Sequence, residues 1–174
     1  MKKIVLLFLG CAFLLSCGDK KKESTASANE PEVVLGNFSV IIDGVYKKND
    51  TLVFYYSQNG FECTDEQALK LPITGSDKQQ NIAIKLPSEV ILGNFRINLS
   101  NNPSQETVLL NSIRILRNEK PFEIKQVEFS KYLNFNENVS WDDKLKGFKF
   151  SSVNGSYIPR VLGNEFLESK LSEL

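Results

Sequence analysis

The chain contains no histidine. Catalysis by a Ser-His-Asp or Cys-His group is therefore excluded, and so is a zinc site with histidine ligands. Histidine is also the commonest general base near neutral pH, so its absence leaves carboxylates as the main candidates for acid–base chemistry. The sequence accordingly predicts no metal site and no cofactor.

Long apolar runs are scarce as well. The longest one extends from Ile4 to Leu15 and follows two lysines, Lys2 and Lys3. It is too short to cross a hydrocarbon core of ~30 Å, which takes about 20 apolar residues. A charged start, a short apolar stretch and a small residue before a cut are typical of an export signal. Residues 1–16 are therefore predicted to be a signal peptide.

The signal ends in Leu14-Leu15-Ser16-Cys17, which resembles the lipobox of bacterial lipoproteins. The resemblance implies that the chain is cut before Cys17 and that the Cys17 thiol carries lipid. The partner at this end would then be a membrane, because several acyl chains at ~0.8 kcal/mol per buried CH₂ anchor a protein stably. The expected location is the cell envelope, at the outer membrane, on either its periplasmic face or the surface. An ordinary signal cut at Ser16 and an uncleaved anchor are the alternatives.

The sequence also has few cysteines and no net charge. Of the three cysteines, Cys11 would leave with the signal and Cys17 would take lipid, so Cys63 has no partner for an internal disulfide. It is expected to be a small buried apolar residue. The chain carries 21 basic and 21 acidic side chains. No basic stripe with interleaved aromatics is present, which argues against a nucleic-acid partner.

The rest of the chain divides at residue 33. Residues 17–32 hold the lipidated cysteine and a polar tether without large apolar side chains, which predicts disorder. Residues 33–174 alternate apolar and polar residues with period two, as in Phe38-Val40-Ile42 and Phe95-Ile97-Leu99. Turn signals such as Asn154-Gly155 separate these runs.

This pattern predicts an all-β fold, an antiparallel β-sandwich of jelly-roll-like type. The richer apolar runs, Thr51 to Ser57 and Thr107 to Leu116, are expected to be central strands. Helix is expected only as short pieces, near Val127–Leu133 and Glu165–Leu171.

The stretch from Leu92 to Tyr132, which begins LGNFRINLSNNPSQ, resembles β-sandwich domains of Bacteroidota lipoproteins and envelope proteins. Those modules are similar to the jelly rolls of carbohydrate-binding domains. The resemblance implies the fold and the compartment, and it brings no catalytic motif. Asn98 stands where the pattern often has Asp, so a role that depends on charge is not carried over.

Carbohydrate binding needs an aromatic face together with amides and carboxylates for the hydroxyls. Trp141, Asp142, Asp143 and Tyr157 are the candidate ligand-binding residues. The alternative for Trp141 is that it closes the sandwich core.

The leading hypothesis is a non-catalytic binding or scaffolding module for a glycan or an envelope protein, with no catalytic residues. A glycan-active enzyme is the second hypothesis. It would use Asp142 and Asp143, or a group of Glu62, Asp65 and Glu66, because glycoside hydrolysis needs two carboxylates across a cleft. A structural subunit of a surface complex is the third.

Overall fold

The computed structural model describes residues 38–118 and 120–174. The predicted signal peptide, Cys17 and the polar tether lie outside the described residues. The strands, in chain order, are β1 (Ser39–Tyr46), β2 (Asp50–Ser57), β3 (Ala68–Ile73), β4 (Gln80–Lys85), β5 (Asn94–Asn98), β6 (Thr107–Arg117), β7 (Lys120–Lys125), β8 (Leu133–Phe135), β9 (Val139–Asp142), β10 (Gly147–Phe150) and β11 (Arg160–Gly163).

The strands form two antiparallel sheets that pack face to face, so the predicted all-β sandwich is confirmed. The first sheet has the order β4-β1-β6-β10-β9, with β7 also paired to β6, and the second has the order β3-β2-β5-β11-β8. Strands that follow each other along the chain occupy matching places in the two sheets: β3 with β4, β1 with β2, β5 with β6, β10 with β11, and β8 with β9. Between the two strands of each pair the chain crosses from one sheet to the other, which gives the sandwich its jelly-roll-like character.

The core lies between the sheets and is built from the alternating residues of the sequence pattern. Val40 and Ile42 of β1 are fully buried, as are Phe95 and Ile97 of β5. Side chains that alternate along a strand point to opposite faces, so each run contributes one buried row. The expected central positions are also confirmed, because β2 lies between β3 and β5, and β6 lies between β1 and β10.

Two glycines allow close packing that a side chain would prevent. At Gly44 the register between β1 and β6 shifts by one residue, and a Cβ there would lie 2.6 Å from the Leu109 carbonyl oxygen. At Gly163 a Cβ would overlap the Asn94 side chain and the Leu167 side chain. Gly163 therefore lets β11 sit against both β5 and the helix that follows it.

Helix is confined to short segments, as expected. The α-helices are α1 (Phe129–Tyr132) and α2 (Glu165–Ser172), and 3₁₀ turns occur at Asp65–Gln67 and Gln126–Glu128. Asn164 caps α2, because its Oδ1 accepts hydrogen bonds from the N–H groups of Phe166 and Leu167. None of the helices in the described part of the chain has the length and apolar character that crossing a membrane requires.

The expectation for Cys63 is corrected. The thiol is free and only half-buried. It lies in the loop that joins β2 to β3, beside Arg96 of β5, rather than in the apolar layer between the sheets.

A candidate ligand-binding groove

An open groove lies at the side of the sandwich where β8 and β9 form the edges of the two sheets. Its volume is about 430 Å³, within the range of small-molecule sites. The lining residues come from the segment between β7 and α1, from α1, and from β8, β9 and β10. They are Gln126, Val127, Phe129, Ser130, Phe135, Val139, Ser140, Trp141 and Phe148. We refer to this cavity as the aromatic groove.

Four aromatic rings form the wall of the aromatic groove. Phe135 and Phe148 stack with ring centroids 4.7 Å apart, and Phe129 lies 6.0 Å from Phe148. Trp141 meets Phe148 edge to face at 5.3 Å. The last contact follows from strand register, since Trp141 of β9 is directly opposite Phe148 of β10. Cross-strand aromatic pairs of this kind stabilise a sheet edge.

Trp141 is the accessible member of this cluster. The Trp141 side chain lies on the same face of the sheet as its partner Phe148, and 42 % of the residue is exposed at this edge strand. The indole N–H donates a hydrogen bond to Asp143 Oδ1 at 3.0 Å. Val127, across the groove, is 87 % exposed. The aromatic groove thus offers apolar surface to solvent next to one carboxylate.

The two predicted carboxylates have different positions. Asp142 Oδ1 accepts hydrogen bonds from the N–H groups of Lys144 and Leu145, and so closes the turn between β9 and β10. Asp143 lies in that turn and is highly exposed, with Lys146 Nζ 3.8 Å from its Oδ1. Exposed ion pairs of this length contribute little to stability. Asp143 is therefore at the rim of the groove, while Asp142 shapes the turn.

Tyr157 does not line the aromatic groove. Its hydroxyl donates to the Gln105 carbonyl oxygen at 2.9 Å and lies 3.1 Å from Ser100 Oγ. Ser100 Oγ in turn donates to Asp50 Oδ2 at 2.6 Å, and Asp50 Oδ1 accepts from the N–H of Asn101 at 2.9 Å. The structure therefore brings Trp141 and Asp143 together and places Tyr157 in a separate polar cluster.

This polar cluster ties together the ends of three neighbouring strands of the second sheet. Asp50 begins β2, Ser100 follows β5, and Tyr157 precedes β11. Burial and the nearby Asp50 charge raise the pKa of the Tyr157 hydroxyl, and its hydrogen bond with Ser100 opposes the shift. Burial, reinforced by Asp50, also raises the pKa of Tyr46, which is fully buried. The tyrosines are therefore neutral at physiological pH, and the cluster is best explained as structural.

The polar side chains of the aromatic groove are mostly engaged already. The Gln126 side-chain amide donates to the Leu110 carbonyl oxygen at 2.7 Å. The Ser140 hydroxyl lies 3.5 Å from the Lys149 carbonyl oxygen. Together with the indole bond to Asp143, these contacts leave few free groups for a ligand rich in hydroxyls. The groove is best suited to apolar side chains or to the flat face of a ring.

Comparisons with protein-family models, with curated proteins and with solved structures found no match to this chain. Residues 38–118 and 120–174 contain no cluster of three or more carboxylates or thiols that could hold a metal ion. The ligand-binding role of Trp141, Asp142, Asp143 and Tyr157 stays a prediction.

Sequence reasoning missed the phenylalanines of the groove. Phe129 and Phe135 belong to separate segments of the chain, and the sequence pattern identifies Phe148 only as an inward-facing residue of a strand. Their alternation with polar residues marks them as buried but does not say that they share a wall. Only the pairing of β9 with β10, beside α1, brings them next to Trp141.

Proposed function

We propose that this protein is a lipid-anchored protein of the cell envelope whose β-sandwich is a non-catalytic binding module, and that the aromatic groove is its binding site. The observation that carries the proposal is the exposed Trp141 on a wall of three phenylalanines. Aromatic residues that remain exposed around a formed cavity characterise recognition sites. The anchor is proposed from the lipobox-like Leu14–Cys17 sequence.

The enzyme alternative has less support. Asp142 already accepts two backbone hydrogen bonds within its own turn, and Asp143 accepts from the indole of Trp141. Two carboxylates adjacent in sequence in one turn do not face each other across a cleft, as glycoside hydrolysis requires. The proposed binding module needs no such pair.

Affinity capture with substituted chains tests the site. The full chain and its Trp141→Ala and Val127→Ala variants are used to capture partners from envelope extracts and to probe a glycan array. We expect Trp141→Ala to weaken binding by about tenfold or more, because a central aromatic side chain contributes ~2 kcal/mol or more to an interface. Val127→Ala should weaken it less.

Ile91→Ala is the matched control, since Ile91 is an exposed apolar side chain that does not line the aromatic groove. It should bind like the unsubstituted chain. Circular dichroism verifies that each variant is folded. A partner that binds equally well to Trp141→Ala, or the absence of any partner in both assays, would contradict the proposal.

A further inference from the structure

We infer that the ligand of the aromatic groove is an extended segment of a protein partner, which pairs with β9 as an additional strand and places an apolar side chain beside Trp141. The inference rests on the proposed function and names the class of partner. It is drawn from the backbone of β9 and from the chemistry of the groove.

The hydrogen-bonding pattern of β9 sets the direction of its backbone groups. The Ser151 N–H donates to the Asn138 carbonyl oxygen at 3.0 Å. In an antiparallel pair, hydrogen-bonded and non-hydrogen-bonded residues alternate. Ser140 and Asp142 therefore bond to β10, whereas the N–H and C=O groups of Val139 and Trp141 point away from it, toward the open edge.

Three of these four outward groups are free. The Val139 N–H donates to the Asn136 carbonyl oxygen at 3.0 Å. The Val139 C=O and both backbone groups of Trp141 have no partner among the residues that the structure describes. Unpaired groups in a row are the template to which an extended chain adds as a strand.

The edge strands on the opposite side of the sandwich contain residues that discourage pairing with another chain, and β9 does not. There the edge strand β3 contains Pro72, and the edge strand β4 ends with the exposed Lys85. Proline and lysine at an edge discourage pairing with another chain. The β9 sequence, Val-Ser-Trp-Asp, has neither residue.

The groove then determines which side chain the added strand presents. A residue directly opposite Trp141 in a neighbouring strand has its side chain on the same face as the Trp141 ring, over the aromatic groove. Because Gln126 and Trp141 already use their side-chain N–H groups inside the protein, an apolar side chain fits this position better than a sugar. The edge supplies main-chain hydrogen bonds and the groove supplies selectivity.

Backbone-modified peptides test the inference. The full chain in detergent is titrated with fluorescently labelled, end-capped heptapeptides that alternate threonine with apolar residues and carry a leucine, isoleucine or phenylalanine at the centre. Binding is followed by anisotropy and by the emission of Trp141, the one tryptophan of the chain. Hexasaccharides of glucose and of N-acetylglucosamine are titrated in parallel.

The decisive comparison is between two N-methylated peptides. Methylating the amide that faces the Trp141 C=O removes one main-chain hydrogen bond, and we expect affinity to fall at least about fivefold. Methylating the next amide, which faces away from β9, should have little effect. The peptide can pair with β9 in either of two registers, so each amide of the tightest-binding peptide is methylated in turn. We expect large and small losses of affinity to alternate along the peptide.

The outcomes separate this inference from the proposed function. Uniform sensitivity to methylation, or no binding by any peptide at millimolar concentration, overturns strand addition. If a hexasaccharide instead binds and changes Trp141 emission, strand addition fails while the binding role of the groove stands. If a partner captured from the envelope binds independently of Trp141, the proposed function itself fails.

Discussion

At the scale of single residues, the half-buried position of Cys63 beside Arg96 changes the pKa and the reactivity of the Cys63 thiol. Arg96 lies with its guanidinium carbon 3.8 Å from the centroid of the Tyr55 ring. Burial raises the pKa of the Cys63 thiol, while the charge of Arg96 and a hydrogen bond from its backbone oppose the shift. The thiol is therefore protonated at neutral pH and is a poor nucleophile, because the thiolate is the reactive form.

This predicts the pH dependence of Cys63 alkylation. The rate of reaction with iodoacetamide, measured for the Cys63 peptide by mass spectrometry, should rise with an apparent pKa above the ~8.5 of free cysteine. In Arg96→Met the apparent pKa should rise further, because the opposing charge is gone. In urea it should return to the value of free cysteine. An apparent pKa in the folded chain at or below that value would contradict the prediction.

The same shift has a consequence for stability. A thiol whose pKa is higher in the folded state than in the unfolded state contributes stability below the unfolded pKa and loses it as the pH rises through the folded pKa. The contribution of Cys63 is therefore complete at neutral pH and decreases under alkaline conditions.

At the scale of elements, α2 depends on its cap. Asn164 Oδ1 accepts from two N–H groups of the first turn, and its Nδ2 donates to the Lys131 carbonyl oxygen at 3.0 Å. The first N–H groups of a helix lack partners within the helix, so a side-chain acceptor at this position stabilises it. The bond to Lys131 also ties α2 to α1.

Asn164→Ala should therefore lower the free energy of unfolding by about 1–2 kcal/mol. Asn164→Ser keeps a capping oxygen and should lose less. Both values come from urea denaturation followed by circular dichroism, with Ser169→Ala on the same helix as an exposed control. If Ser destabilises as much as Ala, the amide bond to Lys131 rather than the cap is responsible.

Individual elements also show what a sequence pattern misses. Asn118 and Pro121 are residues typical of turns, but β7 already begins at Lys120 and contains Pro121. Pro121 is tolerated because β7 pairs only with β6 and is itself an edge strand. By contrast, Asn154-Gly155 is a two-residue turn as expected, since both residues have positive φ, at 52° and 77°.

At the scale of the whole molecule, the order of the strands places the first and last described strands in central positions. β1, the first described strand, lies between β4 and β6, and β11, the last, lies between β5 and β8. Neither sheet is complete until distant segments have paired. Topologies with so many non-local pairings fold slowly compared with helical bundles.

The proposed anchor belongs to this scale, because it determines where the entire sandwich resides. Cys17→Ser should abolish incorporation of labelled palmitate and move the protein from the membrane fraction to the soluble envelope fraction. Cys17 is the proposed attachment point for the acyl chains that hold the protein. Cys63→Ser is the matched control and should remain in the membrane fraction.

Retention of label in Cys17→Ser would contradict the anchor. If Cys17→Ser carries no label but stays in the membrane fraction, the result favours the alternative of an uncleaved N-terminal anchor.

The sequence by itself determined the class of fold, the two short α-helices and most strands that alternate with period two, because local alternation decides which face of a strand is buried. It also excluded chemistry that depends on histidine. The tertiary structure alone decided which strands became edges and which rings met at the aromatic groove, since these depend on pairing between distant segments. Trp141 was identified from sequence, but its exposed position beside Phe148, with backbone groups facing an open edge, follows only from the order of the strands.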